Sequence, residues 1–339
     1  MITGASGLIG SEGAIFFSKI GWEVVGIDSN MRKYFFGDEG DTIWNLNWLK
    51  NNIKNFQCYN IDIRARDNIL ALFKENKFDL ILHCAAQPSH DWAKKEPFVD
   101  FDINAVGTLN LLEATRLYNT KATFIYTSTN KVYGDAPNEL QLKELETRWE
   151  YANKEDYNGI DENCRIDKST HSLFGASKLA GDILAQEYGR YFGLKVGIFR
   201  AGCITGGRHS GVELHGFLSY LVKVAKSGGC YEIFGYKGKQ VRDNIHSYDI
   251  VNAFYHFYQN PKIGEVYNIG GCRKNSVSVL EAIARVQGLL DREIKYTYID
   301  KHRVGDHICY ISNMSKFKSH YPNWRLTKSL DDILKDMLK

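Results

Sequence analysis

Three glycines, Gly4, Gly7 and Gly10, stand at three-residue spacing after an apolar Met1-Ile2-Thr3 start and before a helical pattern. In a strand–turn–helix unit each has its own physical use. Gly4 suits a tight turn that needs positive φ. Gly7 has no Cβ, so a pyrophosphate can come close to the backbone, and Gly10 lets the helix lie close to the sheet. The first helical residues, Leu8 and Ile9, then offer unpaired N–H groups and the positive dipole end to phosphate. A glycine trio by itself also describes a plain turn, so the flanks matter. Ile9, Gly13, Phe16, Phe17 and Ile20 fall at helical spacing, Gly21 closes that helix, and 23–28 reads as a buried strand ending in Asp28. A carboxylate at that strand tip accepts from a ribose 2′-hydroxyl and repels a 2′-phosphate. Asp28, with Ser29 and Asn30 beside it, therefore favours NAD over NADP, with Arg32 and Lys33 as contrary charges. Only three residues precede Gly4, so either the first strand is unusually short or the chain starts upstream.

The alternation continues. Residues 31–55 break it with a loop and a Trp-rich amphipathic stretch over 43–50, read as a surface excursion or a flap near the adenosine or substrate. Strands are expected at 56–62, 79–87 and 122–127, with a helix over 67–77 capped by Asp67. Asp62 and Ile63 are placed to meet an adenine, and the small Ala85 and Ala86, followed by Gln87, to meet the cofactor's ribose. A helix over 97–118 is apolar on more than one face, as in a buried helix or a subunit interface. After a polar stretch over 139–172 come helices at 177–192, 214–226, 247–259 and 277–289, and strands at 194–200, 231–234 and 266–269. The expectation is an α/β fold, a doubly wound parallel sheet over 1–200 with contributions from 240–270, and a smaller mixed substrate lobe over 201–339.

Composition narrows the class. The chain has 339 residues, 44% hydrophobic and 24% charged, which is ordinary for a globular protein large enough for two lobes. No apolar run reaches the ~20 residues that span a bilayer, and no basic-then-apolar leader pattern is read at the start. Seven cysteines without paired spacing fit the reduced thiols of the cytoplasm. No Cys-x-x-Cys or His-Glu-x-x-His pattern occurs, so no metal site is expected. A net charge of +3 does not argue for nucleic acid, though it permits a local basic pocket for an anionic substrate.

Two further segments, Tyr126-Thr127-Ser128-Thr129-Asn130-Lys131-Val132-Tyr133-Gly134 and His171-Ser172-Leu173-Phe174-Gly175-Ala176-Ser177-Lys178, join the glycine trio, Asp28 and Gln240-Val241-Arg242-Asp243-Asn244-Ile245-His246. Together they resemble the extended short-chain dehydrogenase/reductase family of nucleotide-sugar epimerases and dehydratases, over nearly the whole chain. Within it, 127–135, 158–162 and 238–243 are most similar to the branch acting at C2 of a CDP-linked deoxyhexose. The resemblance implies a Rossmann fold, bound NAD recycled within each turnover, and a role in cell-surface polysaccharide synthesis. It implies a homodimer or homotetramer paired through 97–118 and 177–192. It also implies cofactor contacts at Asn104, Thr127 and Lys178.

Epimerising an unactivated carbinol carbon requires removal and return of its hydride, with a base for the hydroxyl proton. In this family the base is a tyrosine four residues before a lysine on one helix face, and a Ser or Thr hydroxyl bridges to the sugar oxygen. Thr129 and Lys178 match two of these places; Phe174 stands at the third. Three explanations stay open: Tyr133, Tyr157 or His171 takes the role; a tyrosine was deliberately replaced; or the protein binds nucleotide sugar without this step. The family's 4,6-dehydratases carry an Asp–Glu pair directly after the threonine, where this chain has Asn130 and Lys131, which argues against that chemistry. A related reductase or dehydratase nonetheless remains an alternative. Gln87, Thr129, Asn130, His171, Arg208, Arg242 and His246 are the substrate candidates. For Arg200 and Arg208 a structural ion pair competes with phosphate binding, for Glu213 and His215 a solvated helix start competes with the sugar, and Cys84 and Cys203 read as core thiols.

Overall fold

The computed structural model describes residues 1–213, 215–302 and 305–339. Seven parallel strands form the central sheet: β1 (Ile2–Thr3), β2 (Val24–Ile27), β3 (Phe56–Tyr59), β4 (Leu80–His83), β5 (Thr123–Thr129), β6 (Lys195–Ala201) and β7 (Glu265–Ile269). Their order is β7-β6-β5-β4-β1-β2-β3, so the chain winds outward in both directions from β1. Strand residues alternate between the two faces as the pleat demands. In β5, Phe124 and Tyr126 join the cluster with Leu111 and Val196, whereas Ile125 joins Phe17 and Phe254 on the other side. A third apolar cluster, with Leu221, Ile233, Val286 and Leu334, holds the smaller part beyond the sheet. There Val241–His246 pairs parallel with Cys203–Thr205 and Cys309–Tyr310 but antiparallel with Ser276–Ser278. No helix among the described residues is long and apolar enough to cross a membrane.

Several boundaries differ from the sequence reading for identifiable reasons. The first strand is only Ile2–Thr3. The strand expected over 79–87 stops at His83, because Thr3 Oγ1 takes the Cys84 and Ala85 N–H groups at 3.1 and 3.0 Å in place of a neighbouring strand. The 56–62 strand likewise ends at Tyr59, where Ile61 N–H turns back to the Tyr59 carbonyl at 3.1 Å. Asp67 lies inside the first turn of the helix Arg66–Glu75 and does not cap it. The 97–118 stretch is helical throughout, but Asp102–Val106 is a π-helical segment between Pro97–Phe101 and α1 (Gly107–Tyr118). The 277–289 helix runs Val279–Leu290, capped by the reciprocal Ser278–Glu281 pair. The expected 214–226 helix runs Phe217–Ser227, and its anticipated first residue, Leu214, lies outside the described residues.

One difference bears on function. The helix expected over 177–192 is α2 (Leu173–Phe192), starting a full turn earlier. Ser172 provides the N-cap, its Oγ accepting from Gly175 N–H at 3.1 Å. Phe174 and Lys178 therefore stand one turn apart on a single face.

Candidate active site

The carboxyl ends of β1, β2, β4, β5 and β6 open into one cavity of about 470 Å³. Parallel sheets place ligand crevices at this edge, where the strand order reverses on either side of β1. Gly4 leaves β1 with φ +63°, its N–H donating to the Ile27 carbonyl at 2.9 Å. A Cβ on Gly10 would stand 2.1 Å from the Gly4 carbonyl oxygen, so the helix Leu8–Lys19 reaches the turn only because that position is bare. Gly7, Leu8 and Ile9 line the cavity beside them. Asp28, at the tip of β2, accepts from the Ser6 N–H and hydroxyl at 2.8 and 2.6 Å through one oxygen and from Asn30 N–H at 2.7 Å through the other. Of the contrary cations, Lys33 is drawn off to Asp38 and Asp41 at 3.2 and 3.1 Å, while Arg32 stays on the cavity wall and donates to the Ser210 carbonyl at 2.7 Å.

At the other end stand Thr127, Thr129, Asn130, Phe174 and Lys178. Lys178 Nζ donates to the Thr127 carbonyl at 2.8 Å and sits 4.2 Å over the Tyr126 ring. Burial lowers its ammonium to about 8, with Asp182, Cys84 and Asp100 offsetting part of the effect. Thr129 Oγ1 accepts from Lys131 N–H at 3.2 Å. Lys131 and Arg242 both reach Asp306 Oδ1, at 2.9 and 2.7 Å, and all three line the wall. Sequence reasoning missed Asp306, which lies 64 residues beyond Arg242 and in no motif.

Ser29, Asp62, Ile63, Ala85, Ala86, Glu213 and His215 also line the cavity. The 31–55 excursion covers the glycine turn: Met31, Arg32, Phe35 and Thr42 face the cavity, and Asn45 donates to the Ser6 carbonyl at 2.8 Å.

The structure does not bring Asn30, Gln87, Asn104, His171, Arg208 or His246 to this lining, because each is engaged elsewhere. Asn30 bonds Asp41 at 2.8 Å, and Gln87 and Asn104 hold each other in a buried cluster. Both ring nitrogens of His171 meet main-chain carbonyls. Arg208 stacks 3.8 Å over Trp48 and donates to Asn45. His246 accepts from Tyr248 N–H and lies 3.2 Å from Asp336. Arg200 is the structural ion pair, bound to Asp182 at 2.9 Å.

A model of the NAD dependent epimerase/dehydratase family matches residues 1–270. The chain belongs to this family. It is 35% identical over 323 residues to CDP-paratose 2-epimerase of Salmonella typhi, covering 93% of this chain and 91% of that one. Identity to UDP-glucuronate 4-epimerase of Thermodesulfobacterium geofontis is 26%, over 99% of this chain and 93% of that one. A tyrosine-to-phenylalanine variant of UDP-glucuronic acid 4-epimerase from Bacillus cereus, solved with UDP-4-deoxy-4-fluoro-glucuronic acid and NAD, superposes with a TM-score of 0.79 and 27% identity, over 99% and 96% of the two chains.

NAD is the cofactor of this epimerase/dehydratase chain, and the residues present fit it. Gly4, Gly7 and Gly10 expose the turn to the cavity where a pyrophosphate would lie, and the anionic Asp28 rim suits an unphosphorylated ribose. Asp28→Asn is expected to weaken NAD binding about tenfold or more, the loss of a charge-assisted hydrogen bond, while NADP binding changes less. Calorimetric titration with both dinucleotides checks this, and unchanged NAD affinity would move ribose recognition away from Asp28.

Proposed function

We propose that this protein epimerises a CDP-linked deoxyhexose at C2, in the manner of CDP-paratose to CDP-tyvelose. The observation that carries the reading is the 35% identity to CDP-paratose 2-epimerase, which extends over 93% of the chain. Bound NAD supplies a two-electron acceptor that takes a hydride from a carbinol carbon and gives it back. The protein's own groups do the rest. Thr129 offers its hydroxyl to the sugar oxygen, and Lys178 places a positive charge at the floor of the cavity. Asn130 and Lys131 occupy the positions where elimination of water would need an acid and a base, and Lys131 is already paired with Asp306. That supports epimerisation over dehydration. Arg242, held by the same carboxylate, presents a guanidinium to the diphosphate. Unchanged NAD occupancy through many turnovers, with no net consumption of added dinucleotide, would separate epimerase from reductase.

The test is product analysis with CDP-paratose and a panel of CDP-, UDP- and dTDP-sugars. Epimer from the CDP sugar and none from the UDP sugars is the expected result. Turnover of UDP-glucuronate in its place would shift the substrate. Tight nucleotide-sugar binding without product from any member would favour a binding role, the reading that Phe174 supports.

The chain is further proposed to pair with a second copy through the 97–118 and 173–192 helices. Phe98 is 87% and Tyr191 80% exposed there, with Phe101, Leu117 and Phe192 beside them. Light scattering at micromolar concentration is expected to give a dimer or tetramer, and a monomer would remove this proposal.

A further inference from the structure

Oxidising a carbinol releases a hydroxyl proton as well as a hydride, and the phenyl ring of Phe174 cannot receive it. The three replacements that the sequence offers are turned elsewhere. Tyr133 is fully buried and donates to Asn268 Oδ1 at 2.7 Å. Tyr157 lies on the surface under the Arg273 guanidinium, 4.0 Å from its ring centroid. His171 lies against the carbonyls of Ser169 and Val132, at 3.1 and 2.7 Å. Cys84 and Cys203 do line the cavity, but burial pushes both thiols up to about 11. Lys131 and Arg242 share Asp306.

The imidazole that touches Phe174 is that of His90. The two rings meet edge-on with centroids 5.1 Å apart, and both line the cavity together with Thr129 and Lys178. His90 opens the helix His90–Lys95, and its position is fixed by the two amides that the cavity does not use. Gln87 accepts from Ser89 N–H at 2.5 Å and donates to the Ser89 carbonyl at 2.9 Å. Asn104 brackets the Gln87 main chain with two bonds of 3.0 Å. It also donates at 3.0 Å to Ser177 Oγ, next to Lys178 on α2. Ser89 in turn caps the helix, its Oγ accepting from Trp92 N–H at 3.3 Å. One buried network thus registers His90 against the helix that carries Phe174 and Lys178.

From these contacts we propose that His90 performs the proton transfer that a tyrosine at position 174 would perform, making it a catalytic residue. The inference rests on the epimerase reading above. The sugar O–H bond breaks and its proton passes to an imidazole nitrogen. The carbon–oxygen double bond forms as the C–H electron pair leaves as hydride to the bound dinucleotide. The planar ketone turns over, hydride returns to the other face of its carbon and the proton returns to its oxygen, so neither proton nor electrons are consumed. Phe174 is the apolar wall that sets the tilt of the imidazole.

The experiment uses the full chain loaded with NAD, with CDP-paratose as substrate. It compares the parent, His90→Asn, His90→Gln, Phe174→Tyr and the His90→Asn/Phe174→Tyr double variant, with CDP affinity measured calorimetrically in parallel. Both His90 variants are expected to lose about 10²-fold in kcat with CDP affinity within about twofold of the parent. Free imidazole is expected to restore part of the His90→Asn rate, and the added tyrosine about tenfold or more in the double variant. Parental kcat in the His90 variants would overturn the inference and leave the epimerase reading standing. Loss of rate that neither imidazole nor the tyrosine rescues, or loss of CDP affinity alongside it, would overturn it too and make His90 structural. A parent protein that turns over no CDP sugar overturns the epimerase reading itself, and the role of His90 falls with it.

Discussion

Asp182→Asn is expected to destabilise the fold by about 3–5 kcal/mol, because it leaves a buried guanidinium without its counter-charge. Asp182 is fully buried and Arg200 is 4% exposed. The carboxylate accepts from Arg200 Nε and Nη2 at 3.1 and 2.9 Å, from Ser128 Oγ at 2.5 Å and from Gln186 at 2.7 Å. These bonds tie β5, α2 and β6 together directly behind the cavity. An asparagine keeps the shape but can offer neither four acceptor sites nor a charge. Loss of this size is a large fraction of a typical domain's stability. Urea denaturation followed by circular dichroism measures it. Arg200→Met in the Asp182→Asn background is expected to recover part of the loss, since it removes the orphaned charge. A shift below about 1 kcal/mol would mean that water or another group satisfies Arg200.

Lys178→Met is expected to lower kcat about 10³-fold, with a much smaller change in stability. The side chain's buried stem is preserved, while the ammonium that meets the Thr127 carbonyl is lost. The pH dependence follows from its depressed value. Folded Lys178 releases its proton near pH 8 and the unfolded chain near 10.5. Between these values the unfolded state holds the extra proton, so this group makes stability rise with pH across that window. The charge proposed to serve the reaction runs the other way: it is half lost near pH 8 and fades above it. The parent's kcat is therefore expected to fall on the alkaline side of 8, and the Met variant to lack that limb. A Met variant with parental kcat and an unchanged profile would show that the cation is not used.

The parts of this protein that could be read early depend on local pattern. Glycine spacing, the apolar run ending at Asp28 and the strand–helix alternation each lie within some thirty residues, and together they specify the doubly wound sheet. Lys178 and Thr129 were equally visible because each sits in a contiguous motif. The start of α2 was hidden, since Ser172 caps it from inside a polar stretch that looks like loop. Gln87 and Asn104 are expected from sequence as ligand contacts, but packing bonds them to each other, and Asn104 to Ser177, instead of facing them into the cavity.

Asp306 beside Arg242, Asp182 beneath Arg200 and His90 against Phe174 had no sequence signature. Each pair is separated by 18 to 84 positions and carries no periodicity or motif. The amino-acid order alone dictates the backbone plan and its cofactor preference, because period, turn chemistry and charge at a strand tip act over short distances. Which charges neutralise one another, which amides become scaffold and which ring packs against Phe174 are decided by tertiary packing. Burial makes an unpaired polar group costly, so partners are chosen by proximity in the folded chain and not by nearness along it.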